Sequence, residues 1–377
     1  MLIGIDASKI GVKGKTGVEE YATQILRYLI KNDRTNRYIL YAPHDISPAL
    51  DKLPDNFSLK IISAPFFWTQ IRLAWQIWKD HLDLFFTPSY APPVFCFVPH
   101  IAVIHDVAFR LFPENYTLLQ RMILEITTRL AIGRAKKIIT ISQTTKNDLV
   151  HLFRAQSLKI EVTYLGFDDT MIKWRHFDKN VWENISEKFN IKKPYLLFVG
   201  RIEGKKNLGN LLQAFYNLLA EGQDLQMILA GKDGVGADEV RAVAAKYNLD
   251  DKVIFTGYIS EEEKKYLLSR CLCFTFVPKY EGFGIPVLEA MAMNIPVVAS
   301  DIPVFHELYR DAVILTKPED PDAIAYGIKS LLDDPERIKI LKERGKKMVK
   351  DFSWDYCGEK ILSIINEATK DKNDRRI

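Results

Sequence analysis

The residues best suited to bind a ligand are two glutamates, Glu281 and Glu289, eight positions apart. Between them lie Gly282 and Gly284, which let the backbone approach a ligand closely, and Pro286, which suits the first turn of a helix. The spacing predicts one carboxylate in a loop and the other about one turn into a helix. Carboxylates placed this way can accept hydrogen bonds from the hydroxyls of a sugar and a ribose. Negative charge near a helix N-terminus also stabilises the helix itself, but the length of the pattern favours binding.

A pair of cations follows an earlier apolar run, 195–199. Arg201 lies two residues after this run, and Lys206 lies five residues further on, at the predicted start of a helix whose expected N-cap is Asn207. Two cations beside a helix N-terminus can hold a diphosphate and stabilise its charge when it leaves. The alternative is a solvated pair of lysines, which is what we expect of Lys205.

The first half of the chain offers a histidine and a glycine-containing loop. His105 directly follows the apolar run 101–104, and the carboxyl ends of strands in an open parallel sheet line the ligand crevice. His105 could therefore bind a substrate hydroxyl, or it could cap the next turn. Gly14 and Gly17 precede the first predicted helix, where a ligand could approach the backbone. Their spacing matches no dinucleotide or nucleotide phosphate loop, so a structural role stays open.

Short apolar runs alternate with helical patterns along the 377 residues, which predicts parallel sheets built from βαβ units. The strand-like runs are 2–5, 38–41, 101–104, 138–141, 195–199, 226–230, 253–256, 273–277 and 296–299. The pattern restarts near Tyr195, and the polar segment 168–193 contains the boundary. The fold class is therefore α/β with two domains, over 1–170 and 190–354.

Composition narrows the choice of partners. The chain is 47% hydrophobic and 27% charged, which is typical of a soluble globular protein. Its net charge of 52 − 48 = +4 fits a phosphate-bearing ligand or an anionic membrane and is too dispersed to indicate nucleic acid.

The four cysteines lack metal-ligand spacing, so we expect them to be reduced residues of the core. The absence of a signal-type leader and of a long apolar run predicts a cytoplasmic location.

The segment from Glu281 to Met291 resembles the Glu-x7-Glu signature of retaining glycosyltransferases of the GT-B fold, specifically glycosyltransferase family 4. Further segments resemble the family in chain order: 16–21, 105–109, 200–207, 257–259 and 352–354. The resemblance implies two Rossmann-like domains that face each other across a cleft. The N-terminal domain would bind the acceptor, the C-terminal domain would bind the nucleotide-sugar, and a last helix, about 355–377, would cross back to the first domain.

The resemblance also implies roles for the residues named above. Glu281 would bind the outer hydroxyls of the donor sugar, Glu289 the ribose, Arg201 and Lys206 the diphosphate, and His105 the transferred sugar. Further donor contacts would come from Phe283, Gly284, Ile285 and Leu288, base contacts from Gly257, Tyr258 and Ile259, and the acceptor cleft would include Gly14 and Gly17. The family uses no metal and no other cofactor. We find no Asp-x-Asp at a strand end, so the two cations would supply the positive charge.

The expected reaction is hexosyl transfer with retention of configuration by front-face attack. The first half resembles mannosyltransferases of polysaccharide assembly at 68–71, 83–88 and 112–114, which favours GDP-mannose as the donor and a glycan or lipid-linked glycan as the acceptor. Transfer of glucose, galactose or N-acetylglucosamine from a UDP-sugar is the alternative. More distant rivals are a nucleotide-sugar 2-epimerase and a non-catalytic sugar-binding protein.

An aromatic stretch lies at residues 66–78. Trp68, Ile71, Trp75 and Trp78 have the spacing of one helix face, and cations lie beside it. This face is expected to pack on the core of the first domain. The alternative is a partly exposed face that contacts the acceptor or the inner surface of an anionic membrane, because tryptophan with flanking cations suits a bilayer interface.

Overall fold

The computed structural model describes residues 1–12, 17–50, 52–63, 68–89, 92–174 and 177–370. The chain forms two compact units. One comprises Met1–Gly166 together with Ser353–Ile377, and the other comprises Phe167–Phe352.

The first unit is built on a parallel sheet of seven strands. The strands are β1 (Leu2–Asp6), β2 (Arg37–Ala42), β3 (Phe57–Ile61), β4 (Leu84–Thr87), β5 (His100–Ile104), β6 (Lys137–Thr140) and β7 (Ile160–Val162), in the order β3-β2-β1-β4-β5-β6-β7. The helices between them are α1 (Gly17–Asn32), α2 (Ala74–Lys79), α3 (Ala108–Leu111), α4 (Leu118–Arg134) and α5 (Gln143–Phe153). A π-helical segment, Trp68–Leu73, leads into α2.

The second unit repeats this design on six parallel strands. They are β8 (Tyr195–Val199), β9 (Gln226–Ala230), β10 (Val253–Gly257), β11 (Cys273–Phe276), β12 (Val297–Ser300) and β13 (Ile314–Thr316), in the order β10-β9-β8-β11-β12-β13. Its helices are α6 (Thr170–Lys173), α7 (Lys179–Lys188), α8 (Leu208–Ala220), α9 (Ala237–Lys246), α10 (Glu261–Arg270), α11 (Ile285–Ala292), α12 (Pro303–Leu308), α13 (Pro321–Leu332) and α14 (Pro335–Met348). The chain then returns to the first unit as α15 (Trp354–Lys370), which packs on α1.

The predicted fold class is confirmed. Each of the nine apolar runs forms a strand within one residue of the predicted bounds, because strands buried between helix layers are apolar along their whole length. The four cysteines are buried and free, as expected. Four strands were not predicted. The edge strands β3, β7 and β13 are short and carry polar residues such as Lys60 and Glu161, and β4 is a buried central strand of four residues.

The expectation that the tryptophan face packs on the core is wrong for most of its members. Trp68 is half-buried and donates its indole N–H to the carbonyl of Ile62, at 2.7 Å. Ile71, Trp75 and Trp78 are exposed. The π-helical turn over Trp68–Leu73 changes the angular spacing of the side chains, so a different pair, Leu73 and Ile77, packs in the core. Phe66 and Phe67 lie outside the described residues.

Candidate functional site

The strand order of the second unit locates its ligand crevice. β8 pairs with β9 on one side and with β11 on the other, so the chain reverses its winding direction between β8 and β11. Loops that leave the carboxyl ends of two such strands diverge and open a crevice. The loop after β8 carries Arg201 and Lys206, and the loop after β11 carries Glu281. The fold therefore brings the predicted diphosphate and sugar residues to one edge of the sheet.

Lys206 and Glu281 contact each other directly. The Lys206 ammonium lies 2.5 Å from a carboxylate oxygen of Glu281 and 5.1 Å from the ring centre of Phe276. Both side chains are largely enclosed, with 13% and 21% of their surface exposed, so water screens the pair only weakly. The pair holds both charged groups at the crevice. A negatively charged ligand that binds there can replace Glu281 as the partner of the Lys206 ammonium.

Glu289 lies buried about one turn into α11, as its spacing predicts, and is paired with a residue that the sequence analysis missed. Lys264 on α10 is 2.7 Å from Glu289 and 2.8 Å from Glu261. Burial raises the pKa of the Glu289 carboxyl, although Lys264 opposes this. Burial alone would lower the pKa of Lys264, but attraction from Glu289 and Glu261 outweighs it and raises that pKa. The result is a charged pair with a carboxylate able to accept hydrogen bonds.

The turn before α11 is held in one shape. Gly284 has a φ of +94°, a left-handed conformation that favours glycine, and a Cβ at this position would lie 2.8 Å from the ring of Phe305. The buried hydroxyl of Tyr309 lies 3.1 Å from the carbonyl oxygen of Phe283 and 3.3 Å from that of Gly284. The backbone amides that open α11 are thereby fixed in direction. The side chains of Phe283 and Leu288 are buried, and Ile285 is half-buried.

Asn207 occupies the N-cap position of α8, as predicted, but it does not cap the helix through its side chain. Asn207 has the left-handed backbone (φ +60°), and its side chain makes no cap hydrogen bond. Its amide instead donates to the carbonyls of Val277, at 2.9 Å, and Pro318, at 2.6 Å. Asn207 thus joins the loop that carries Lys206 to the segments that follow β11 and β13.

Arg201 lies more in the open than Lys206. Its guanidinium is 55% exposed and lies 3.4 Å from Glu203. The same carboxylate lies 3.5 Å from Lys205, which is 32% exposed rather than solvated along its whole length. Glu203 therefore orients two cations on one side of the crevice.

The expected base-binding residues lie at the end of β10 and just beyond it. Gly257 has a φ of +67°, and Ile259 is buried. Tyr258 between them is exposed, with the Lys232 ammonium 5.0 Å from its ring centre. An exposed aromatic ring beside a cation can stack on a flat, electron-rich base.

The residues predicted in the first half belong to the other unit. His105 directly follows β5, is buried, shares a hydrogen bond of 2.9 Å with the carbonyl of Pro88, and meets the edge of Tyr21 at 4.9 Å. At the following turn, Asp106 accepts a hydrogen bond from the amide of Ala108. Burial lowers the pKa of His105, which favours the neutral imidazole. Gly17 is the first residue of α1, and Gly14 lies outside the described residues.

The two residues that the sequence analysis missed have the same reason for being missed. Lys264 stands in a run of charged residues that reads as a solvated helix, and Tyr309 ends a short helix with no motif. Their positions become significant only once the fold brings Lys264 to Glu289 on α11 and Tyr309 to the turn before that helix. Within the described ranges, no group of three or more His, Cys, Asp or Glu side chains is arranged to hold a metal ion.

Two family models match the chain. "Glycosyltransferase Family 4" matches residues 15–170, and "Glycosyl transferases group 1" matches residues 181–348. The O-antigen chain mannosyltransferase B of Escherichia coli is 29% identical over 78% of this chain and 76% of that protein. The O-antigen chain mannosyltransferase RfbU of Salmonella typhimurium is 28% identical over 70% of this chain and 69% of that protein.

Solved structures share the fold over nearly the whole chain. HepE of Anabaena, determined in complex with UDP and glucose, has a TM-score of 0.74 at 17% identity, covering 97% of this chain and 99% of its own. WaaG, described as a glycosyltransferase involved in lipopolysaccharide biosynthesis, has a TM-score of 0.73 at 15% identity, also covering 97% and 99%.

Proposed function

Because the chain belongs to glycosyltransferase family 4 and is a glycosyltransferase of the GT-B fold, we propose that it transfers mannose from GDP-mannose to a glycan or lipid-linked glycan, with retention of configuration. The observation that carries this proposal is the pairing of Lys206 with Glu281 at the crevice between β8 and β11.

Donor binding exchanges the partners of this pair. A diphosphate oxygen takes over the ammonium of Lys206, and the freed carboxylate of Glu281 accepts hydrogen bonds from hydroxyls of the sugar. The amides of 283–285 face the same sugar, since Tyr309 holds their turn. Glu289, kept ionised by Lys264, accepts the ribose hydroxyls. The N-terminal domain, with His105 and Gly17, supplies the acceptor side.

Transfer breaks the bond between the anomeric carbon and the diphosphate oxygen and forms a bond from that carbon to the acceptor oxygen on the same face. The acceptor proton passes to the departing diphosphate. Arg201 and Lys206 stabilise the charge that develops on this group, which is where preorganised cations contribute most to catalysis. Exclusion of water limits hydrolysis of the donor.

The proposed donor is supported by the two relatives named as O-antigen mannosyltransferases. A UDP-hexose is the second candidate. It is supported by a Campylobacter jejuni relative, 28% identical over 57% of its length, that is named as an N-acetylgalactosaminyltransferase acting on a diphospho-undecaprenol carrier.

A thermal-shift panel tests the donor. We expect GDP-mannose to raise the melting temperature in a concentration-dependent way and more than UDP-glucose, UDP-galactose or UDP-N-acetylglucosamine, because a ligand that binds only the folded state stabilises it. A larger shift with a UDP-sugar would assign that donor instead. No shift with any member would contradict the proposed function. A new sugar formed from the donor alone would indicate an epimerase.

We place the acceptor on a lipid carrier and the enzyme at the inner face of the membrane, in peripheral contact with anionic lipid. The exposed Trp75 and Trp78, with Lys79 5.2 Å above the Trp75 ring, support such a contact. In the parts of the chain that the structure describes, no helix is long and apolar enough to cross a membrane.

A further inference from the structure

Helix α4 exposes an aliphatic face that the sequence analysis did not identify. Five of its residues are at least half exposed: Leu118 (75%), Leu119 (68%), Met122 (61%), Ile123 (52%) and Ile126 (52%). Their spacing places them along one side of the helix. We call these five residues the α4 face.

The α4 face is not needed to hold the helix in the fold. The other side of α4 is buried through Thr128 and Ala131, and a capping box between Thr117 and Gln120 fixes where the helix begins. The helix is therefore anchored independently. Exposing five large aliphatic side chains to water is costly, so a ligand or partner that covers them is favoured.

Charge around α4 indicates which partner. Residues 110–137 contain six Lys and Arg and two Asp and Glu, so this segment alone carries 6 − 2 = +4, equal to the net charge of the whole chain. The acid on α4, Glu125, is neutralised by Arg110 at 3.3 Å and by Arg129 at 2.7 Å. An aliphatic stripe rimmed by cations matches an anionic lipid surface, where apolar side chains enter the acyl boundary and cations remain among the headgroups.

The apolar surface continues beyond the helix. Arg134, the last residue of α4, donates a hydrogen bond to the carbonyl of Val94, and the amide of Val94 donates to Gln70. Val94 is therefore held on both its carbonyl and its amide. The loop that follows it carries Phe95 and Phe97, which are exposed. The end of α4 and the π-helical segment Trp68–Leu73 thus both hold the loop that exposes these two aromatic rings.

We propose that α4 is the element by which this protein docks on an anionic membrane surface, with the α4 face inserted and Arg110, Arg129 and Arg134 among the headgroups. This inference deepens the membrane contact in the proposed function and rests on that function for its purpose, delivery of a lipid-linked acceptor to the first unit. It assigns the leading role to α4 rather than to Trp75 and Trp78.

Vesicle co-sedimentation of the full chain tests the assignment. The wild type is compared with Leu119→Gln/Ile123→Gln, with Trp75→Gln/Trp78→Gln, and with Leu158→Gln, a control at a residue 93% exposed elsewhere in the same unit. The vesicles are phosphatidylcholine alone or mixed with phosphatidylglycerol. We expect the wild type to bind the mixed vesicles at low salt and to be released by high salt. The α4 variant should bind at least about tenfold more weakly, since it removes two inserted side chains, while Leu158→Gln binds like the wild type.

Three results would overturn the inference: no wild-type binding, an α4 variant that binds like the wild type, or a wild type that self-associates through this face while the variant is monomeric by analytical ultracentrifugation. The thermal shift with nucleotide-sugars, measured on the same proteins, separates this test from the proposed function. A donor response without vesicle binding rejects the membrane contact, and with it the docking role of α4, but leaves the proposed transfer reaction standing. The absence of any donor response rejects the proposed function and leaves the vesicle result valid.

Discussion

At the scale of single residues, the charged side chains proposed to bind the donor form two ion pairs. Lys206 with Glu281 and Lys264 with Glu289 each join two elements of the second unit. A buried or half-buried charge without a partner carries a desolvation cost, and each pair offsets part of that cost in the absence of ligand. A donor that brings its own charge and hydroxyls can replace one partner without leaving the other unsatisfied.

Replacing either member of the first pair tests this directly. We expect Lys206→Ala and Glu281→Ala each to lower turnover by about a hundredfold or more, the effect of losing one preorganised contact to the transition state. Lys205→Ala is the matched control, since this neighbouring lysine pairs with Glu203, and it should keep most of the activity. Near-normal turnover of a folded Lys206 or Glu281 variant would exclude that residue from the site.

Buried histidines make the first unit sensitive to acid. Burial lowers the pKa of both His105 and His100 in the folded state, whereas an imidazole in the unfolded chain titrates near about 6.5. Below that pH the unfolded chain binds protons that the folded chain excludes, so this stability is present above pH about 6.5 and is lost as pH falls. We expect His105→Gln to lose less free energy of unfolding than the wild type between pH 7 and 5 in urea titrations. His151→Gln, at an exposed position, should follow the wild type. Equal slopes for all three proteins would refute this assignment.

At the scale of elements, most apolar strands could be predicted closely, the edge strand β10 among them, whereas β3, β7, β13 and the buried β4 could not. β8 matches its predicted bounds because it is apolar from end to end, whereas β13 is three residues long and Ile314–Thr316 has no period to detect. The site followed the same division. Glu281 and Glu289 have a spacing that can be recognised, but the partner of Glu289 comes from a different helix, so Lys264 could not be found before α10 was placed.

Asn207 joins the start of α8 to the loops after β11 and β13, a role that its position before a helix did not predict. Substitution of Asn207 tests how much this contact stabilises the protein. Asn207→Ala removes the amide that donates to the carbonyls of Val277 and Pro318, and it places alanine, which tolerates the left-handed region less well than asparagine, at a φ of +60°. We expect a loss of about 2–4 kcal/mol in the free energy of unfolding. Asn207→Gly removes the same amide without the left-handed penalty and should be about 1 kcal/mol more stable than the alanine variant. Two variants of equal stability would show that backbone conformation contributes nothing there.

At the scale of the whole molecule, both cations proposed for the diphosphate come from the loop after β8. If Arg201 and Lys206 supply the positive charge, turnover should not depend on a divalent ion. We expect activity in EDTA to equal that in buffer, measured with GDP-mannose and a glycan acceptor. Loss of activity on chelation that Mn²⁺ or Mg²⁺ restores would show that a metal shares this role.

The first unit is assembled from both ends of the chain, and Gly166 is where the outgoing and returning segments meet. A Cβ on Gly166 would lie 2.2 Å from the backbone nitrogen of Trp354 and 2.7 Å from the carbonyl carbon of Ser353, distances that neither segment can absorb by rotating a side chain. Gly166→Ala must therefore push the start of α15 away from the backbone at position 166. We expect its free energy of unfolding to fall by about 1–3 kcal/mol in urea titrations, the usual cost of overpacking a tight contact.

Gly133→Ala is the matched control, since a Cβ on this α4 glycine meets no atom within 4 Å. This exposed helical substitution should stabilise the protein by about 0.5–1 kcal/mol. If Gly166→Ala proves as stable as the wild type, the returning helix is not held by this contact, and the two ends of the chain are joined mainly through the packing of α15 on α1.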